Sequence, residues 1–266
     1  GFRACKLEPP GVAILAEGMA SCLTVLSHLD FSCNGLGDAG AMALGVALST
    51  GSGARSLTRL NLGWCQIGPT GAGALATALK RAPVLATLNF GENAIGPAGS
   101  KFIADMLVRP TCRVTDLNVS HNGIGDDGVC SLSKAVAAEP GPVRPGLRRL
   151  DISGPGQGSV TLKGVEKLCD SVRLATCTLE ALVVHHLSLK RVGCDILMAA
   201  AATNASLKEL NVSWNDLVAA NSTSITRLVR THPTLEFVDA TFNTGLIESR
   251  YSAIQAAAER KADPHL

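Results

Sequence analysis

Aromatic residues are scarce in this chain of 266: two Trp, one Tyr and six Phe, or 3% of the whole. A core built without them is aliphatic and rich in alanine, which fits a hydrophobic content of 46%. Charge of one sign is lacking too. Lys and Arg total 24 against 22 Asp and Glu, a formal net charge of +2. Such a balance removes the electrostatic case for a nucleic-acid partner or an anionic membrane surface. Long hydrophobic runs are missing: ILMAAAA, residues 196–202, is the longest strongly apolar stretch. A membrane-spanning helix needs about 20 such residues. The opening GFRACKLEPPG has no apolar core of a secretory signal. No GxxxxGK[ST] phosphate loop occurs anywhere.

Cysteine is present nine times but never as CxxC. The scatter of Cys5, Cys22, Cys33, Cys65, Cys112, Cys130, Cys169, Cys177 and Cys194 suits neither a disulfide framework nor a zinc knuckle. Reduced thiols in an intracellular, cytoplasmic compartment are the simpler reading. The four Asn-x-Ser/Thr sequons, at Asn118, Asn204, Asn211 and Asn221, carry no weight there.

What the chain does have is repetition. LSHLDFSCNGLGDAGAMALGVAL starts at Leu26 and LTRLNLGWCQIGPTGAGALATAL at Leu57. LATLNFGENAIGPAGSKFIADML follows from Leu85 and VTDLNVSHNGIGDDGVCSLSKAV from Val114. LRRLDISG (Leu147), LEALVVHH (Leu179), LKELNVSW (Leu207) and LEFVDATF (Leu235) continue the register less cleanly. The starts lie 28 to 33 residues apart. The first half of each unit alternates as a short strand does, and the second places apolar or glycine residues four apart, as one helix face does. Leu36, Gly40, Leu44 and Leu48 show the second pattern, as do Ile67, Gly71, Leu75 and Leu79. Strand, loop and helix stacked side by side predict a curved α/β solenoid, its parallel sheet concave and its helices convex.

LDFSCNGLGDAGAMAL, with Asn34, Cys65, Asn93 and Asn122 alternating at the loop position, resembles the leucine-rich repeats of the ribonuclease-inhibitor type. The resemblance covers essentially the whole chain, with about eight full repeats and a partial first one. It implies a horseshoe, protein–protein binding, and loop asparagines that pair with backbone; Asn34, Asn93, Asn122, Asn215 and Asn243 fit that role.

The ends keep the register. Leu7, Gly11, Leu15 and Met19 predict a helix, and Phe2 falls on an inward strand position. The expectation is therefore one domain over 1–266, belonging to a longer protein because its first unit has no cap. Leu246, Ile254 and Ala258 predict a last helix. From Leu150 to Val160 is a step of 10 positions, against 7 from Leu29 to Leu36, and EPGPVRPG precedes them. An irregular insert is expected at 139–160, with Pro155 and Leu187 breaking the asparagine ladder.

GLGDAG, residues 35–40, and GIGDDG, residues 123–128, spell the glycine fingerprint of a dinucleotide loop. Two of the four units replace its first glycine, with Gln66 and Ala94. The glycines therefore read as packing: Gly40, Gly71, Gly99 and Gly128 would let each helix approach the neighbouring strand. Gly37, Gly68, Gly96 and Gly125 would ease the turn into it. Asp38 and Asp126, like Pro69 and Pro97, would favour the start of their own helices. No cofactor is expected.

Alternation lists the concave face. Asp30, Asn61, Asn89, Asn118, Asp151, Val183, Asn211 and Asp239 form an acid–amide column that consensus alone explains. The column before it, His28, Arg59, Thr87, Asp116, Arg149, Ala181, Glu209 and Phe237, varies from unit to unit and could carry specificity. Trp64, Glu92, His121, His186, Trp214 and Phe242 mark the strand exits, where aromatics serve either contact or packing. The protein-binding candidates are His28, Arg59, Trp64, Asp116, His121, Arg149, His186, Glu209, Trp214 and Phe237. Chemistry finds little support. His185 and His186 adjoin, and strand alternation should turn them apart, away from any shared metal. Ser120, His121 and Asp116 lack a group to orient the histidine. Buried, inert thiols are expected. The leading expectation is a non-enzymatic scaffold that binds a protein or sits in an assembly such as a cytoskeletal or flagellar one. A GTPase activator similar to the Ran activator and the sensor repeats of a larger nucleotide-binding receptor are the alternatives.

Overall fold

In the computed structural model, residues 1–19, 25–50, 54–154 and 160–246 are described. Within them one open parallel sheet runs in chain order. Its strands are β1 (His28–Asp30), β2 (Arg59–Asn61), β3 (Thr87–Asn89), β4 (Asp116–Asn118), β5 (Arg149–Asp151), β6 (Ala181–Val183), β7 (Glu209–Asn211) and β8 (Phe237–Asp239). The helices are α1 (Pro9–Met19), α2 (Gly37–Ser49), α3 (Pro69–Leu79), α4 (Gly96–Leu107), α5 (Gly125–Ala137), α6 (Leu162–Val172), α7 (Lys190–Ala201) and α8 (Asn221–Thr231). One helix follows each of the first seven strands, and α1 precedes β1. This is the parallel-sheet solenoid that the periodicity predicts, in the leucine-rich repeat form that the resemblance implies. Its neighbours in sequence are its neighbours in space, and no strand crosses over.

The register is invariant. Leu29, Leu60, Leu88, Leu117, Leu150, Leu182, Leu210 and Val238 face one another across all seven pairings. These side chains point into an aliphatic core continuous with Leu44, Leu75, Ile103, Leu132, Leu168, Leu197 and Ile225 of the helices. The partial first unit docks as a strand would. Phe2 donates its N–H to the Asp30 carbonyl, Ala4 to that of Ser32, and the Phe2 ring stacks on Phe31.

The asparagine ladder joins repeats rather than residues within one repeat. Asn93 shows the pattern. Its Oδ1 accepts the N–H groups of Cys65 and Ile67 in the unit before, and its Nδ2 donates to the carbonyls of Leu62 and Phe90. Asn34, Asn122, Asn215 and Asn243 repeat the arrangement. Cys65, standing where asparagine would, turns its thiol to the Phe31 carbonyl. Leu187 leaves a gap in the side-chain row, yet its own N–H is taken by Asn215.

One local expectation is corrected and another is extended. The glycines at the first helical turn admit the preceding helix, not the neighbouring strand. A Cβ on Gly71 would stand 2.8 Å from the Ala41 Cβ of α2, and one on Gly99 would stand 3.2 Å from the Ala72 Cβ of α3. Asp38 and Asp126 cap the next helix as well as opening their own. Asp38 Oδ1 accepts the N–H groups of Gly68 and Gly71 at the start of α3. Asp126 accepts those of Thr161 and Gly164 at the start of α6, plus the Thr161 hydroxyl. A carboxylate one repeat away thus satisfies orphan donors that a local N-cap would otherwise take.

Between α5 and β5 the chain is irregular, and a buried arginine holds it. Arg144 is 5% exposed. Its guanidinium donates to the carbonyls of Leu107, Ala135, Ala138 and Glu139, which include the C-terminal carbonyls of α4 and α5. Pro155, Ile254 and Ala258, to which the sequence assigns a ladder break and a last helix, lie outside the described residues.

Candidate functional site

Every strand except β6, which ends on Val183, ends on an Asp or Asn whose side chain accepts the N–H two residues ahead. Asp30 does so from Ser32, Asn89 from Gly91 and Asn211 from Ser213. This Asx turn bends the chain out of the sheet. It also explains the acid–amide column as structure, as does the direct bond from Asn89 to Asn61. Burial raises the Asp30 pKa, but bonds from Ser32 and Asn61 outweigh it and hold the carboxyl below its ordinary value.

Three residues past each strand end the backbone is left-handed, although the residue is rarely glycine. Cys33, Trp64, Glu92, His121, His186, Trp214 and Phe242 have φ between 53° and 59°. Each such residue costs about 1–2 kcal/mol. The turn persists because the parallel ladder runs on through it. Trp64 donates its N–H to the Gly91 carbonyl, His121 to Ser153 and Trp214 to Thr241. The exit side chains therefore stand in a row at the strand spacing of about 4.8 Å, which is also a stacking distance for rings. His186 stacks on Trp214 with centroids 4.9 Å apart and planes at 14°. Trp214 stacks on Phe242 at 4.6 Å and 18°.

Gly154 holds the same place in the fifth repeat, with φ 98° and no side chain. A Cβ there would come within 2.5 Å of the His121 ring. The gap is filled from both sides. His121 leans over it, and His185 completes the row with ring centroids 5.8 Å from His121 and 5.5 Å from His186. His185 and His186 were expected to face apart. The strand ends at Val183, so alternation no longer applies, and their Nδ1 atoms stand 3.3 Å apart. On the far side, Glu92 Oε1 lies 3.8 Å from His121 Nε2. Burial lowers the His185 pKa, opposed by Asp151 and Asp239 and reinforced by the neighbouring imidazoles.

The structure thus brings three sequence candidates, His121, His186 and Trp214, into one continuous strip with Phe242. Trp64 stands alone in the second repeat, 62% exposed. Arg149 and Glu209 meet at 2.9 Å across β6, because the residue between them is Ala181. His28 Nδ1 lies 2.8 Å from the Ser27 hydroxyl, and Asp116 accepts from Thr115. Arg59 and Phe237 are exposed at the first positions of β2 and β8. Sequence reasoning passed over Gly154 and the left-handed turn, and it set His185 aside on strand alternation. The signal for the turn was the Asp or Asn three residues before the exit position in every repeat but the sixth.

Catalytic arrangements do not form from the residues considered. The Ser120 hydroxyl donates to Asn118, while His121 faces Glu92. Burial pushes the thiols of Cys169 and Cys194 up to about 12 and that of Cys65 to about 11, so none is a nucleophile near neutrality. Among the described residues no helix is long and apolar enough to cross a membrane.

A leucine-rich repeat family model matches residues 22–45, 53–76, 113–133 and 203–219. The chain is 28% identical over 219 residues to NACHT, LRR and PYD domains-containing protein 14 of Homo sapiens, covering 81% of this chain and 19% of that protein. It is 27% identical over 213 residues to the ribonuclease inhibitor of Mus musculus, covering 80% of this chain and 44% of the inhibitor. It therefore spans less than half the length of these relatives. Among solved structures, the yeast Rad7 and Elc1 complex aligns with a TM-score of 0.41 at 14% identity, over 96% of this chain and 69% of the matched one.

Proposed function

Because the chain is a leucine-rich repeat protein of the ribonuclease-inhibitor type, we propose that it is a non-enzymatic protein-binding scaffold whose contact surface is the row of strand exits. The observation that carries this is the stacked, solvent-facing strip of His186, Trp214 and Phe242, in which Trp214 is 48% and Phe242 67% exposed. Rings held flat against each other on a strained but hydrogen-bonded backbone lose little entropy on binding, so they suit a hot spot. Arg149, Glu209, His28, Arg59, Asp116 and Phe237 on the concave strands, and Trp64 and His121 at the exits, are the residues we assign to specificity around that strip. The free thiols, four of them buried, favour a reducing cytoplasm.

Cross-linking and affinity capture from cell extract test the proposal by comparing the parent chain with Trp214→Ala and Trp64→Ala. Loss of a partner in the variants supports it. Equal recovery from both variants and the parent sinks it. A second reading rests on the similarity to NACHT, LRR and PYD proteins: the chain could be the repeat region of a larger multidomain protein. A nucleotide-binding segment upstream of Gly1 in the full-length gene product would favour that reading.

A further inference from the structure

The strand exits around Gly154 carry a feature that protein binding does not use. His185 Nδ1 and His186 Nδ1 face each other at 3.3 Å. Between two neutral imidazoles that meet through the same nitrogen, only one proton can be shared. A metal ion bound at about 2.0–2.1 Å by two nitrogens with a tetrahedral angle between them sets those nitrogens about 3.3–3.4 Å apart. The spacing in the structure is that bite.

We propose that His185 and His186 chelate one divalent transition-metal ion through their Nδ1 atoms, with His121 as the third ligand. The ion takes the place of the shared proton. The displaced proton moves to the bare Nε2 of the ring that donated it, so that both rings carry Nε2–H; two neutral rings therefore release none on binding and a protonated ring releases one. Imidazole donors select zinc, copper or nickel over calcium or magnesium. Both histidines are half-buried and open to solvent, which fills the remaining position.

His121 has the second feature of a metal ligand. Its Nε2 lies 3.8 Å from the Glu92 carboxylate, near enough for a small turn of either side chain to make the hydrogen bond that commonly fixes the tautomer of a coordinating histidine and leaves Nδ1 for the metal. Among the described residues no three such side chains are already set around one ion. Completing the site therefore takes a rotation of His121 over Gly154. The ring already stands over Gly154, where a Cβ would come 2.5 Å from it. The proposal is independent of any protein partner.

The test uses the untagged full chain with the exposed thiols Cys5 and Cys33 changed to Ser. Zinc chloride is titrated by calorimetry at about pH 7.5. One zinc per chain is expected. His185→Gln and His186→Gln weaken it by at least about tenfold, and His121→Gln weakens it as well. His28→Gln, an exposed histidine remote from the cluster, leaves it unchanged. The indole stacked on His186 gives a second readout: with Trp64→Phe, nickel quenches Trp214 emission in the parent and not in His186→Gln. Variants are matched to the parent by circular dichroism, with His185→Asn as the alternative should His185→Gln misfold. Zinc affinity unchanged in His185→Gln, or no stoichiometric zinc binding by the parent, overturns the proposal.

Discussion

Replacing Arg144 with Met should destabilise the middle of the solenoid more than any surface change. Methionine keeps the length and apolar stem of the side chain and removes the fork. Four carbonyls lose a charged donor, at distances now between 2.7 and 3.0 Å. They will not suffer equally. Ala138 and Glu139 lie on partly or fully exposed backbone and can turn to water. Leu107 and Ala135 are buried and cannot. Each orphaned buried carbonyl costs about 1–3 kcal/mol, and relief from desolvating the guanidinium returns part of it, so the net loss should be about 3 kcal/mol. In a chain of this size that lowers the melting temperature by roughly 9 °C. Arg144→Lys should fall between, because one ammonium cannot span carbonyls from two helices. Urea denaturation followed by circular dichroism measures the loss, and hydrogen exchange should place it in α4, α5 and β5. A Met variant within about 0.5 kcal/mol of the parent, the range of an ordinary surface change, would refute the clamp.

The capping carboxylate between repeats should show in acid. The bonds that Asp126 accepts from Thr161 and Gly164 outweigh desolvation and hold its pKa below the ordinary value. A carboxyl depressed in the folded state contributes stability that is complete above its unfolded pKa of about 4 and is lost as pH falls through the folded value. Asp126→Asn should remove that part of the pH dependence and cost about 1 kcal/mol at neutral pH, as a lost cap does; an unchanged acid-unfolding midpoint would count against it. Thiol mapping by mass spectrometry at about pH 8 should label Cys5 and Cys33 quickly and spare Cys169 and Cys194, whose burial holds them as thiols. Asn93→Ala breaks bonds to two repeats at once and should cost about 2 kcal/mol by urea denaturation. Asn61→Ala, at a half-exposed Asx turn, should cost less than half of that.

The strand centres and helix faces were readable because their period is written in adjacent residues. Leu60 and Leu75 announce their burial through neighbours four or fewer positions away. The exit row was readable only as a set of positions. Nothing near Trp214 in the chain says that its ring lies on His186 and Phe242, 28 residues to either side. Two inferences went astray for the same reason. His185 and His186 were assigned the alternation of a strand that had already ended. The first-turn glycines were assigned to a strand contact, when the helix one repeat earlier lies closer.

By itself the sequence determined the repeat, its register and the aliphatic core, since a period of strand and helix can bury its apolar residues in only one stacked arrangement. The tertiary structure alone decided which side chains meet across repeats. Those meetings depend on a left-handed exit turn, on a missing side chain at Gly154 and on a strand spacing that equals the thickness of a ring stack. The turn and the spacing are properties of neighbouring backbones, and Gly154 matters because the sheet sets it between His121 and His186. None is a property of the residues that they bring together.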